Sequence, residues 1–206
     1  IVLPLLAAIL LSAPSPLWAD EGNDGAPGED VVAASALAIA DRPVINEILY
    51  NPVNSAETLE YVELYNPTDR AISLSNWTLS DGIDYLFPAA AVIPAKGYVI
   101  VAQSPEWVRS RFGKSAFGPW EGKLSNEGDG IRLRDHQAGL VDTVEYGGAF
   151  PWPTVGDAPE RSISLLSAAE DNALPGNWRS RPPTPGADAS SVSRSKTSRV
   201  SRRPHS

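Results

Sequence analysis

The chain has 206 residues, 42% of them hydrophobic and 20% charged, which is the composition of a globular protein with one domain or two small ones. It contains no cysteine and only two histidines, His136 and His205, so disulfides, thiol nucleophiles, zinc fingers and iron–sulfur sites are excluded. The net charge of −8 divides into an acidic body and a basic C-terminal tail, and an acidic body repels phosphates, so specific nucleic-acid binding is not expected.

Residues 1–19 carry no charge and end in the tripeptide LWA, whose final small residue is typical of a signal-peptidase site. They are predicted to be a signal peptide, which implies a secreted, extracellular or periplasmic protein. The alternative is a membrane-spanning helix, but three prolines interrupt the stretch, so the cleaved protein is not expected to be an integral membrane protein. Because a basic n-region is missing and the first residue is Ile, we expect the sequence to start late or to be a fragment of a larger multidomain protein.

Residues 20–42 are predicted to be a flexible acidic linker and lead-in. The part over 20–30 holds five acidic residues and three glycines without a large apolar residue. An EF-hand loop is excluded because Gly22 and Val31 stand where calcium needs oxygen ligands.

From Pro43 onward, short runs of β-branched and aromatic residues alternate with turn residues. The first run predicts a strand with Ile45, Glu47 and Leu49 on one face, and the second predicts one with Tyr61 and Glu63 on one face. Strands are predicted over 44–50, 58–65, 71–80, 83–87, 97–102, 130–134, 139–146 and 161–166. This pattern favours an antiparallel sandwich, with a core predicted to include Trp77, Leu64, Ile72, Ile131 and Leu133.

One helix is predicted, over residues 104–113. Ser104 is placed to cap it, Pro105 lies in its first turn and Gly113 ends it. Two further glycines, Gly97 and Gly128, are predicted to permit turns with positive φ.

Nine motifs follow one another over residues 43–186, namely INEILYNP, EYVELYNPTDRAISLSNWTLSDG, FP, IPAKGYVIVA, GKLSNEGDGIRLRD, VDTVEY, PWP, NW and TPG. In this order they resemble the lamin tail domain in its bacterial, secreted form. The resemblance implies an immunoglobulin-like antiparallel β-sandwich with one short inserted helix. It also implies a non-catalytic binding, adhesion or accessory module that tethers to an envelope or extracellular polysaccharide or protein. The heptad rod of lamins is absent from the sequence, so nuclear localisation and filament assembly are not expected.

Three tryptophans, Trp107, Trp120 and Trp152, are the candidate partner-binding residues, because an exposed aromatic patch suits stacking on a sugar ring or a partner side chain. The alternative for Trp107 and Trp120 is that their rings cover the open end of the core.

The alternative function is a carboxylate- or calcium-dependent secreted hydrolase acting on polysaccharide or phosphodiester. Common hydrolase motifs are absent from the sequence, and His136 is predicted to lie in an exposed turn. Catalysis would have to use two of Glu47, Glu60 and Glu63, which otherwise are solvent-facing carboxylates. Glu47 and Glu63 share faces with hydrophobic residues, so they could instead anchor backbone or arginine partners at a sheet end. A structural calcium would be held by loop carboxylates, with Asp81, Asp84 and Asp129 as the named candidates and Asp142 and Asp157 beside them.

Residues 187–206 contain five basic residues against one acidic residue and lack aromatic side chains. We expect this tail to be disordered and to contact anionic surfaces at most loosely. The oligomeric state is left open by the sequence.

Overall fold

The computed structural model describes residues 41–52, 57–153 and 161–187. The predicted signal peptide, nearly all of the acidic linker, Asp157 and the basic tail from residue 188 lie outside the described residues. In the described part, no helix is long and apolar enough to cross a membrane.

Two five-stranded antiparallel sheets pack face to face, which confirms the predicted sandwich. The first sheet has the order β12-β11-β1-β2-β7 and consists of β1 (Val44–Leu49), β2 (Tyr61–Tyr65), β7 (Tyr98–Ala102), β11 (Ser162–Leu165) and β12 (Trp178–Arg181). The second has the order β10-β9-β4-β5-β8 and consists of β4 (Thr78–Asp81), β5 (Ile83–Leu86), β8 (Glu121–Gly122), β9 (Gly128–Arg134) and β10 (Leu140–Gly147). A short ribbon pairs β3 (Ile72–Ser73) with β6 (Val92–Ile93), and 3₁₀ turns occupy Glu57–Leu59 and Pro175–Asn177.

The inner faces of the two sheets enclose the main hydrophobic core. Leu64, Ile131 and Leu133 are fully buried there, as predicted. Ile72 and Trp77 were predicted to be core residues as well, but both are only half-buried and pack against the rim of the core. The fully buried indole is instead Trp178, at the start of β12.

Strand β1 contains a bulge that the predicted alternation missed. Ile45 pairs with Leu64 of β2, but the register then shifts so that Glu47 pairs with Glu63. A bulge places two residues of one strand opposite one of its partner, so the side chains before and after it lose strict alternation. Ile45 therefore joins the main core, whereas the sequence placed it on the face of Glu47 and Leu49.

The predicted strand over 71–80 is divided into β3 and β4 by a turn. Asn76 has a φ of 59° in this turn, a left-handed conformation that asparagine tolerates better than most residues. The Trp77 N–H donates to Leu74 O over 3.0 Å and closes the turn. Trp77 is thus a turn residue that precedes the strand instead of lying within it.

The predicted helix is present as α1 (Pro105–Phe112). Ser104 Oγ accepts a hydrogen bond from the Trp107 N–H over 3.3 Å, and Gly113 ends the helix with a φ of 66°. The helix covers the outer face of the first sheet, where Val108 packs in a second small core. The other buried members of that core are Leu49, Tyr61, Ile100 and Ala102.

The two predicted turn glycines behave differently. Gly128 has a φ of 127°, as predicted. At Gly97 the prediction is wrong, because Lys96 carries the positive φ, at 50°, and Gly97 is needed for space. A Cβ atom at Gly97 would lie 2.8 Å from Pro94 Cβ.

Candidate functional site

An apolar pocket of about 290 Å³ opens beside α1, on the outer side of the first sheet. Aromatic and proline side chains form most of its wall, and Arg111 supplies one cationic group. Its lining residues are Leu49, Pro52, Leu59, Trp107, Arg111, Phe112, Pro182 and Pro183. We call it the Trp107 pocket. Its size and lining suit a sugar ring or an apolar side chain of a partner.

The indole of Trp107 is held in a fixed orientation in this pocket. It packs edge-on against Phe112, with ring centroids 5.3 Å apart and planes at 88°. Phe112 in turn packs edge-on against Tyr61 of β2, at 6.3 Å. Trp107 is half-buried, so its indole is anchored on the second core and still faces the pocket. The structure therefore leaves Trp107 available for the predicted partner-binding role.

The other two candidate tryptophans are buried. Trp120 is 3% exposed and Trp152 is 9% exposed, and both pack in the main core. Trp152 lies 6.0 Å from Trp178, measured between ring centroids. The expected exposed patch of three tryptophans is therefore wrong, because two of the three rings close the core.

Two carboxyl groups lie opposite each other on the outer face of the first sheet. Glu47 and Glu63 stand directly opposite each other in the register of β1 and β2, and they are 1% and 0% exposed. Glu47 Oε1 accepts hydrogen bonds from the Tyr61 hydroxyl, at 2.7 Å, and from the Ser162 hydroxyl. Glu63 Oε1 accepts one from Asn46 Nδ2, at 2.9 Å. These groups are thus internal, although carboxyl groups seldom lie fully buried.

The segment over 182–186, which follows β12, covers the two carboxyl groups. The Thr184 N–H donates to Glu47 Oε1 over 2.9 Å, and the Gly186 N–H donates to Glu63 Oε2. Lys114 Nζ donates to Gly186 O over 3.0 Å and ties the same segment to the chain after α1. We call residues 182–186 the strap. Its first two prolines form part of the wall of the Trp107 pocket.

Burial changes the acidity of this pair. Burial, and after it the neighbouring charge of Glu47, raises the pKa of Glu63 to about 8, against the lowering effect of the Gly186 N–H. Burial also raises the pKa of Glu47, whose hydrogen-bond donors act in the opposite direction. Two like charges this close are costly, so the pair favours a state that holds at least one proton near neutral pH.

The carboxylates considered for catalysis serve as internal anchors. Glu47 and Glu63 bind the main chain of the strap, as the anchoring interpretation expected. Glu60 is 2% exposed and accepts a hydrogen bond from the Leu124 N–H over 3.0 Å. His136 is exposed in the turn between β9 and β10.

Two of the three named calcium candidates have protein partners. Asp81 forms an ion pair with Arg132, which also binds Glu145 over 2.9 Å. Asp129 accepts hydrogen bonds from the N–H groups of Ser125 and Gly130, at 3.2 and 2.9 Å. Asp84 is exposed and stands opposite Glu121 in the pairing of β5 with β8. Among the residues that the structure describes, no group of three or more acidic or histidine side chains is arranged to hold a metal ion.

Asp142 connects the two sheets. Its Oδ2 accepts hydrogen bonds from the Ile45 N–H and from Asn172 Nδ2, both at 2.7 Å. Asp142 is 3% exposed, and this burial raises its pKa to about 6. The carboxylate therefore supports the edge of the sandwich where β10 meets β1.

A model of the lamin tail domain matches residues 38–148, which is more than half of the chain. No curated protein matches the sequence. The matched segment includes α1 and Glu63 but stops before β11, β12 and the strap. In the structure these later elements complete the first sheet and close the Trp107 pocket.

Proposed function

Because the chain belongs to the lamin tail domain family, we propose that it is an exported, non-catalytic binding module. In this proposal it tethers to an extracellular or envelope polymer or protein, and the Trp107 pocket is the contact site. The lamin tail domain itself is a non-catalytic domain.

The observation that carries the proposal is a rigid aromatic group facing an apolar pocket. Trp107 is fixed by Phe112 and by the capped helix, so little conformational entropy is lost when a partner stacks on it. Tryptophan and arginine are the residues that most often dominate binding energy at interfaces. The pocket holds both, as Trp107 and Arg111.

The internal carboxylates support binding over catalysis. A glycosidase needs two carboxyl groups that reach the substrate on either side of the scissile bond. Glu47 and Glu63 instead have oxygens bonded to Tyr61, Asn46 and the strap. They stabilise the wall of the pocket.

Binding of the purified full chain to envelope polysaccharide and to envelope protein fractions tests this proposal. We expect Trp107→Ala to weaken binding to one of the two fractions at least tenfold, because a stacked aromatic anchor typically contributes about 2 kcal/mol or more. Phe150→Ala is the matched control, since Phe150 is 92% exposed and is not among the residues that line the pocket. Unfolding by urea confirms that both variants remain folded.

Two results would contradict the proposal. The first is binding by the Trp107 variant at the wild-type affinity to whichever fraction the wild type binds. The second is loss of binding in the Phe150 variant alone, which would move the contact to the loop after β10.

A further inference from the structure

The strap is attached to the sandwich through an unusual pair of groups. It lies over two adjacent buried carboxyl groups, and each carboxyl accepts a hydrogen bond from one of its backbone N–H groups. Thr184 adds a side-chain hydrogen bond to Glu47 Oε2 at 3.3 Å. The docked position of the strap therefore depends on the state of Glu47 and Glu63.

Several elements contribute charged and polar groups around the pair. Lys114, from the segment after α1, is the cation that acts on Glu63. On β2 the titratable neighbour is Tyr61, which donates to Glu47. The residues paired directly with Glu63 and Glu47 on the other strands are uncharged, namely Ile100 of β7 and Ser164 of β11. Arg181 of β12 pairs with Ser162, whose hydroxyl binds Glu47. With both carboxyl groups ionised, the site would hold two adjacent buried negative charges.

We propose that residues 182–186 form a proton-dependent strap, which stays docked while the Glu47–Glu63 pair holds a proton and undocks when both groups are ionised. Undocking hydrates both carboxylates and removes Pro182 and Pro183 from the wall of the Trp107 pocket. The consequence for binding rests on the proposed function, whereas the movement of the strap does not.

The direction of the pH dependence follows from proton linkage. The pKa of Glu63 is about 8 with the strap docked, and exposure to water returns it toward its ordinary value of 4.5. The docked form thus binds more protons than the undocked form between these two values. Docking is strongest at the acidic end of this range, weakens by up to tenfold per pH unit as the pH rises, and levels off above about 8.

Amide exchange of the ¹⁵N-labelled full chain, followed by NMR, measures the strap directly. Exchange rates are divided by the intrinsic rate at each pH, so the resulting protection factor reports opening alone. We expect the protection of the Thr184 and Gly186 amides to fall at least tenfold between pH 6 and pH 9. The amide of Val144 in β10 serves as an internal reference for opening of the second sheet, and its protection should exceed that of the two strap amides at each pH.

Glu63→Gln is the diagnostic variant. Glutamine has the same shape, can accept from the Gly186 N–H, and can donate to Asn46 if the asparagine amide rotates. We expect the ratio of strap protection at pH 6 to that at pH 9 to fall clearly below the wild-type ratio, because the variant lacks one of the two titrating groups. Glu145→Gln is the matched control, because Glu145 is an exposed carboxylate on the second sheet, and it should keep the wild-type ratio.

Either of two outcomes would contradict the proposal of a proton-dependent strap. One is wild-type protection of Thr184 and Gly186 that does not change with pH. The other is a pH dependence in Glu63→Gln equal to that of the wild type. If Glu63→Gln fails to fold, Glu47→Gln removes the other carboxyl group of the pair, and its ratio should likewise fall below that of the wild type. Because no partner is present, these results do not depend on whether Trp107 binds one.

Discussion

Replacement of Trp178 by alanine should remove more stability than the same change at Trp77. Trp178 is 0% exposed, its ring faces Trp152 in the main core, and its Nε1 donates to Asn172 O over 2.8 Å. Trp77 packs on the rim of the same core and is half-buried. The two residues provide a matched pair of identical substitutions that differ in burial.

The expected magnitudes follow from the buried area. A fully buried indole removes about 150–250 Å² from water, which at about 25 cal/mol per Å² corresponds to roughly 4–6 kcal/mol, an upper estimate. Measured Trp→Ala changes in cores cost about 3–5 kcal/mol, and the lost hydrogen bond to Asn172 adds about 1 kcal/mol. We therefore expect Trp178→Ala to lower the free energy of unfolding by about 4–6 kcal/mol. Trp77→Ala should cost about half of that or less.

Urea unfolding at pH 6, followed by far-UV circular dichroism, gives both values. A domain of this size has a stability of about 5–15 kcal/mol, so Trp178→Ala is close to the limit of folding. Trp178→Phe keeps an aromatic ring but loses the hydrogen bond, and it should cost about 1–3 kcal/mol. Equal losses for the alanine variants of Trp77 and Trp178 would refute the assignment of Trp178 as the buried indole of the core.

Three further predictions concern other parts of the chain. Burial raises the pKa of Asp142 from 3.8 to about 6, so the folded state holds the proton of this carboxyl more strongly than the unfolded state does. The free energy of unfolding should therefore fall as the pH rises from about 4 to 6. Asp142→Asn should remove this part of the pH dependence, as measured by urea unfolding at several pH values. Ser104→Ala should cost about 1 kcal/mol in the same assay through loss of the helix cap, whereas Ser110→Ala, at an exposed position of α1, should be nearly neutral. If residues 1–19 are a signal peptide, mass spectrometry of the exported protein should find Asp20 as its first residue.

Local signals in the sequence were sufficient for the helix and for most strands. Ser104, Pro105 and Gly113 act within one or two turns of α1, so their pattern predicts its ends directly. Strand β2 alternates strictly, and the structure places Tyr61 and Glu63 on the outer face as the alternation requires. These features depend on neighbours in the chain and need no knowledge of distant contacts.

The wrong predictions concern features that the alternation of apolar and polar residues does not encode. The bulge in β1 changes register without changing composition, so Ile45 was assigned to the wrong face. Asn76 did carry a signal for the turn before β4, because asparagine tolerates positive φ, but the alternating run around it was a stronger indication of a strand. Strand β12, with the sequence WRSR, has one large apolar residue, and strands of two residues such as β6 and β8 are too short to predict.

The candidate site could be predicted only in part. Trp107 was identified as an aromatic residue on a short inserted helix, and the structure leaves it facing a pocket. The alternation of β1 and β2 placed Glu47 and Glu63 on apolar faces, which was the available sign of buried carboxyl groups. Their partners in the strap lie 137 and 123 residues away along the chain. Sequence periodicity describes neighbouring residues, so it gives no information about contacts at that separation.

The position of the site follows from the burial of the first sheet on both faces. Its inner face closes the main core, and its outer face is covered by α1 and by the strap. A sheet buried on both sides has little surface of its own, so in the proposed function a partner contacts the elements that cover it. The Trp107 pocket lies where these two coverings meet, with the indole supplied by the helix and the prolines by the strap. Because the strap is anchored on titratable groups while the helix is anchored on apolar ones, one wall of the pocket responds to protons and the other stays fixed.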